Sequence, residues 1–279
     1  MRTRLIPVVG LVGAILLLDT AGAQGQPARP PARSQQGRTL PYAHDDVEGF
    51  TKIFDGNSLR DWDGDPRFWH VADGVIVGES TLQTPLEQNT FLIWRGGPRR
   101  GVMRDFELKL EFRLLGGRDN SGVQVRSSVR PDAPHRWRLT GYQVDMDFNN
   151  SYTGMVYGEE AGGFVAPRGE ITHVRPGRPR PQNIGTLGSA TELRGLQNTN
   201  AWNTLHIIFR GNTLINVVNG RVTSIIIDDD LEAGGGPRLA EGLIGLQLHS
   251  GPPMRVEFRN IYLKEYPERP ASQRPLPIP

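Results

Sequence analysis

Between Arg104 and Phe148 apolar and polar side chains alternate with a period of two in three consecutive segments. In the first, Phe106, Leu108, Leu110 and Phe112 fall on one face, with Glu107, Lys109, Glu111 and Arg113 on the other. Val123 and Val125 oppose Gln124 and Arg126 in the second; Tyr142, Val144 and Met146 oppose Gln143, Asp145 and Asp147 in the third. Successive side chains leave a strand from opposite faces, so each segment predicts a half-buried strand. The same reading predicts strands at Phe50–Phe54, Phe68–Val71, Val75–Glu79 and Thr90–Trp94 upstream. Downstream it predicts Thr204–Arg210, Leu214–Asn219, Val222–Ile227, Leu243–His249 and Arg255–Lys264. Asp73-Gly74 and Asn219-Gly220 mark hairpin turns, and Asp55-Gly56 marks a further turn. Many short strands at this spacing predict an all-β sandwich or barrel. Helix is scarce. Ser189-Ala190-Thr191-Glu192 has the spacing of a capping box and predicts one or two turns over Thr191–Leu196. From Gly158 to Asn200 the chain is Gly/Pro-rich and weakly periodic, and reads as a long loop.

Composition adds compartment and boundaries. Arg2 and Arg4 precede an apolar run from Leu5 to Leu18, and Ala21-Gly22-Ala23 follows as a small-x-small cleavage site. The run is short for a membrane span, so residues 1–23 read as a secretory signal peptide. No Cys is present to carry a lipid, which predicts a secreted or periplasmic protein with no membrane attachment after cleavage. Residues 24–43 form a Pro-rich leader and 267–279 a similar tail, leaving 44–266 as one folded domain. The absence of Cys also removes disulfides, thiolate catalysis and zinc–thiolate sites. A net charge of +2 with scattered Arg gives no basis for nucleic-acid binding. Nothing in the sequence names a protein partner.

The polar faces change the picture more. Glu111, Gln124, Arg126, Gln143 and Asp145 offer multi-contact groups where a plain solvated face would carry Lys, Glu, Thr and Ser. Such groups on adjacent strands suit a polyhydroxylated ligand, which points to carbohydrate. Gln247 and His249 share a face of a further strand, and His249 can act as base, acid or metal ligand near neutral pH. Glu79 ends a hairpin strand, Asn120 opens the strand of Gln124, and Tyr157 and Arg168 flank the long loop, where they could close over a sugar. The phase of each strand predicts that Glu111, Gln124, Arg126, Gln143, Asp145, Gln247 and His249 line one concave surface.

In order and spacing, several short motifs resemble the bacterial 3-keto-disaccharide hydrolase domain family. They are Ile53-Phe54-Asp55-Gly56, Trp69-His70-Val71-Ala72-Asp73-Gly74, Phe91-Leu92-Ile93-Trp94, Asp105-Phe106-Glu107-Leu108, Asn120-Ser121-Gly122-Val123 and Gly141-Tyr142-Gln143-Val144-Asp145. Trp202-Asn203, Asn219-Gly220, Leu246-Gln247-Leu248-His249 and Phe258-Arg259-Asn260-Ile261 continue the series, so that the resemblance spans about Phe50 to Glu265. It implies a concanavalin A-like jelly roll of two antiparallel sheets. It also implies an enzyme acting on an oxidised glycoside, a small molecule ketonised at carbon 3, as a hydrolase or as a 1,2-lyase with hydration. Retaining glucanases of this fold carry a carboxylate where this chain has Gln143, and an amide cannot be a nucleophile. Elimination needs only a base, an acid and an oxyanion stabiliser. Asp145, His249, Glu79 and Glu111 are the candidates for the proton transfers, with Asp145 or His249 as base. Arg126 or a divalent metal ion is the candidate to hold the enolate oxygen, although no ligand spacing singles out a metal site. The alternative is a non-catalytic carbohydrate-binding, lectin-like module of the same fold.

Overall fold

The computed structural model describes residues 43–159, 162–178, 180–231 and 239–267. The expected signal peptide, nearly all of the leader and the tail from residue 268 lie outside them. Among the described residues seventeen strands follow in chain order: β1 (Thr51–Lys52), β2 (Trp62–Asp63), β3 (Trp69–Ala72), β4 (Val75–Ser80), β5 (Thr90–Trp94) and β6 (Phe106–Leu114). Next come β7 (Asn120–Val129), β8 (Leu139–Asp147), β9 (Val156–Glu159), β10 (Gly163–Ala166), β11 (Glu170–Val174) and β12 (Gln182–Thr186). After a short helix, α1 (Ala190–Arg194), lie β13 (Asn203–Arg210), β14 (Thr213–Val218), β15 (Arg221–Asp228), β16 (Leu243–Leu248) and β17 (Met254–Glu265).

They form two sheets. A ten-stranded sheet runs β12-β11-β15-β14-β13-β6-β17-β4-β3 with β1 on β17, and a seven-stranded sheet runs β10-β9-β8-β7-β16-β5-β2. Every pairing is antiparallel except β11 with β15. This is the all-β sandwich that alternation predicted, in the jelly-roll form that the resemblance implied. The inner faces supply the core. Phe106, Leu108, Leu110 and Phe112 of β6 and Leu205, Ile207 and Phe209 of β13 are fully buried with Val123, Val125, Val144 and Met146 of the opposite sheet. Each such side chain contributes about 1.5–3 kcal/mol of transfer free energy, so the alternating apolar half of the sequence holds the sheets together without disulfides.

Two expected hairpin turns form with the required backbone. Asp73 and Gly74 take φ of 49° and 79°, and Asn219 and Gly220 take 47° and 78°, the left-handed pairs of a two-residue hairpin. Ser189 caps α1, its side chain accepting a hydrogen bond from Thr191 N at 3.2 Å. The expected loop over Gly158–Asn200 is corrected: β10, β11, β12 and α1 lie inside it. Their strands span only four or five residues, and β12 (QNIGT) is almost wholly exposed, so it carries no apolar alternation to detect.

Candidate functional site

The outer face of the seven-stranded sheet divides into an apolar and a polar half. Phe91, Ile93, Leu139 and Leu243 form a second small core there, covered by Val102, Val129 and Trp137. Beside it, Gln124, Gln143, Asp145 and Gln247 point the same way from β7, β8 and β16, because Val123, Val144 and Leu246 alternate with them into the main core. Gln124 pairs in register with Gln143, and Gly122 with Asp145. Gly122 makes room: a Cβ there would meet the Gln143 side chain at 2.5 Å.

All four polar side chains are buried. Gln143 Nε2 donates to Asp145 Oδ1 at 2.8 Å and to Gln247 Oε1 at 3.3 Å, while Gln124 Oε1 accepts from Ser127 Oγ. Gln124 Nε2, Gln143 Oε1 and Gln247 Nε2 are buried with no protein partner. Buried amide atoms of this kind cost on the order of 1–3 kcal/mol each unless something binds them. Asp145 sits in the same setting. Desolvation pushes its pKa up to about 8 against the pull of the Gln143 hydrogen bond, and the charges of Glu159 and Asp147 add to the rise. The carboxyl therefore keeps its proton at neutral pH.

Three residues that the sequence did not single out complete the site. Glu159, at the end of β9, forms an ion pair with Arg138 at 3.3 Å and accepts from Asn89 Nδ2 at 3.3 Å. Asn89 Oδ1 accepts from Ser250 N at 2.9 Å, which ties Glu159 to the turn carrying His249. His249 Nδ1 lies 2.6 Å from its neighbour's carbonyl, Ser250 O. A carbonyl only accepts, so Nδ1 carries a hydrogen, and in the neutral tautomer the lone pair is on Nε2.

The expected single surface is therefore partly corrected. Gln124, Gln143, Asp145 and Gln247 come together, with Tyr157 beside Gln143 in register and His249 beyond Gln247. Asn120 sits at the start of β7 opposite Asp147. Glu111 and Glu79 belong to the other sheet. Glu111 accepts from Arg259 Nε at 2.7 Å and Asn260 Nδ2 at 2.8 Å, and Glu79 pairs with Arg255 at 3.5 Å. Arg126 turns inward. It takes a φ of 44° at a bulge where the pairing of β7 with β8 slips between Val125 and Ser128, which reverses the alternation. Its guanidinium lies 3.6 Å over Phe209, pairs with Asp105 at 3.0 Å and donates to Gly211 O at 2.8 Å. Gly242 lets the bulge close, since a Cβ there would meet Arg126 C at 2.5 Å. Arg168 is buried, donating to Thr153 O at 2.7 Å and Asn150 O at 3.2 Å, and so holds a loop rather than facing the polar floor.

Among the described residues no group of three or more His, Cys, Asp and Glu is arranged to hold a metal ion. Among them, too, no helix is long and apolar enough to cross a membrane. At the other edge of the floor three rings meet. Phe164 of β10 stacks on Tyr152 at 5.3 Å and meets Tyr157 edge-on at 5.2 Å.

Residues 49–264 match the sequence profile of the 3-keto-alpha-glucoside-1,2-lyase-like domain. The chain belongs to that family. No curated protein matches it. Among solved structures, a candidate glycosyl hydrolase from Parabacteroides distasonis ATCC 8503 is 17% identical with a TM-score of 0.50, over 79% of this chain and 95% of that one. The carbohydrate-binding module CBM66 from Bacillus subtilis is 13% identical, over 74% and 96%, with a TM-score of 0.45. A Bacillus subtilis protein with a galectin-like fold is 11% identical, over 74% and 90%, with a TM-score of 0.47. At 17% identity the likeness to the Parabacteroides distasonis protein is one of fold.

Proposed function

We propose that the protein is an exported enzyme that cleaves 3-keto-α-glucosides by β-elimination between carbons 1 and 2. The observation that carries this reading is a carboxyl that keeps its proton at neutral pH, Asp145, close to a carboxylate held by an arginine, Glu159. Asp145 can thus supply a proton, and Glu159 stands beside it as the candidate to take one. The ketone at carbon 3 acidifies the hydrogen on carbon 2. Glu159 takes that proton, and the electron pair moves to the ketone oxygen as an enolate. The enolate then collapses: carbons 1 and 2 become doubly bonded, and the substituent on carbon 1 leaves with the proton of Asp145. The amide hydrogens of Gln124 and Gln247 are free to bind sugar oxygens. No nucleophile is needed, in keeping with an amide at position 143. Addition of water across the new double bond would complete a net hydrolysis. His249, with a lone pair on Nε2, is the second candidate base. Were a divalent ion to bind, the carboxyl groups of Asp145 and Glu159 would be the ones to hold it, and it would supply stabilisation of negative charge on the substrate oxygen; treatment of the enzyme with EDTA tests for it.

The amide-rich floor also supports a second reading, a lectin-like module that binds sugar without cleaving it. Substrate deuterated at carbon 2 decides between them. Elimination sends the label to solvent as the aglycone appears; release of aglycone with the label retained means direct displacement, and saturable binding with no release means the lectin-like module.

A further inference from the structure

We infer that Tyr152, Tyr157 and Phe164 form a stacking subsite for the group that leaves, a pyranose or an aryl ring. The inference rests on the proposed function and names the part of its substrate that the enzyme selects. Gly245, Gln124, Gln143, Tyr157 and Phe164 are register neighbours on the five adjacent strands β16, β7, β8, β9 and β10. Directly paired residues project to the same side of a sheet, so the rings stand beside the polar floor on the same face. Phe164 is 44% and Tyr152 40% exposed, two of only a few large apolar side chains left in water among the described residues. An exposed phenylalanine packed between two tyrosines offers flat apolar area edged with hydroxyl groups. The faces of sugar and aryl rings match that surface.

The platform is built rather than incidental. Asp147 accepts hydrogen bonds from the backbone N–H groups of Ser151 at 3.0 Å, Tyr152 at 2.6 Å and Thr153 at 3.1 Å. Arg168 binds the carbonyls of Asn150 and Thr153 from the other side. Both residues thus position Tyr152. The same loop is joined to the proposed acid: Asp145 N donates to Met155 O at 3.0 Å, and Gly154 N to Asp145 O at 3.1 Å. The residue that protonates the leaving oxygen and the rings that would receive the leaving group belong to one rigid piece.

The test compares p-nitrophenyl and methyl 3-keto-α-glucosides and reads the ratio of their kcat/KM values. Phe164→Ala and Tyr152→Ala should each lower the aryl-to-methyl ratio roughly 3- to 10-fold, the effect of one lost ring contact. Ile184→Ala, an exposed apolar side chain on β12 of the other sheet, should leave the ratio alone. Asp147→Ala should reproduce the Tyr152 effect, and Asp147→Asn, which keeps one acceptor oxygen, should restore most of it. A ratio that does not move in either ring variant overturns the subsite while leaving the proposed function standing. Should the wild-type protein turn over neither compound, the proposed reaction fails. Calorimetric binding of p-nitrophenyl and methyl α-glucoside then tests the platform alone. Weaker aryl binding in Phe164→Ala supports it, and equal binding overturns it.

Discussion

The two outer faces of the sandwich carry polar side chains from strands of the same alternating design, yet they differ in how those side chains are satisfied. On the ten-stranded sheet carboxylates pair with arginines or bond to an imidazole. Arg255 meets Glu257 at 2.8 Å, Arg259 meets Glu111 at 2.7 Å, and His206 meets Glu107 at 2.8 Å. Arg113 and Arg259 lie over Trp202 at 4.7 and 4.0 Å. On the seven-stranded sheet the polar groups are buried, rich in amides and left with unpartnered atoms, and one carboxyl is forced to keep its proton. A face that satisfies itself contributes to solubility and fold. Buried amide atoms without a protein partner call for water or a ligand to satisfy them, and that is the ground on which the site is proposed.

That contrast is sharpest in activity. Asp145→Asn and Glu159→Gln should each lower turnover of a 3-keto-α-glucoside by roughly two to four orders of magnitude, the usual share of acid–base catalysis. Glu79→Gln and Glu111→Gln, on the paired face, should change it less than about twofold. Steady-state kinetics on the four variants check this; a large loss in the second pair would abolish the distinction.

The next effect is on stability against pH. Asp145 is raised from 3.8 to about 8, so across that window the folded protein holds a proton that the unfolded chain has released. Stability therefore falls as pH rises from about 4 to 8, and the cost above pH 8 is on the order of 5 kcal/mol. Asparagine in its place escapes this cost. Asp145→Asn should be more thermostable than wild type at pH 9, with a Tm gain on the order of 10 °C, and the gain should shrink towards pH 5. Calorimetry at the two pH values measures it; a gain independent of pH would mean that burial does not disfavour the Asp145 charge.

Smallest is the paired face itself. Glu79 and Arg255 are each about one-third exposed, at 36% and 34%, so a double-mutant cycle should give a coupling of only about 0.5 kcal/mol, weaker in high salt. A coupling well above 1 kcal/mol would show the paired face to be an organised network.

Much of this was legible in the sequence. Alternation located the strands from Val75 to Asp147 closely, and the Asp-Gly and Asn-Gly turns came with them, because period and turn chemistry are local properties. Alternation also placed Gln124, Gln143, Asp145 and Gln247 in phase. What it could not give was the sheet to which each strand belongs. Glu111 is as correctly phased as Asp145, but β6 pairs with β13 and β17 rather than with β7. Nor could it give the left-handed residue at Arg126, since arginine carries no mark of a bulge. Glu159 was hidden for a third reason. It ends a four-residue strand inside a Gly-rich stretch, and its role depends on Arg138 and Asn89, distant in sequence.

The pairing of β1 with β17 brings Thr51 opposite Leu263, so the first and last strands of the domain lie side by side. A domain whose ends meet can be spliced into a surface loop of another protein, or have its ends joined and be reopened elsewhere, without stretching either sheet. The turn between β14 and β15 at Asn219-Gly220 belongs to the ten-stranded sheet, whereas Asp145 is on the seven-stranded one. Reopening the chain there would leave both sheets paired as they are, but would free Asn219, which accepts from Thr204 N at 2.7 Å and donates to Leu196 O at 2.7 Å.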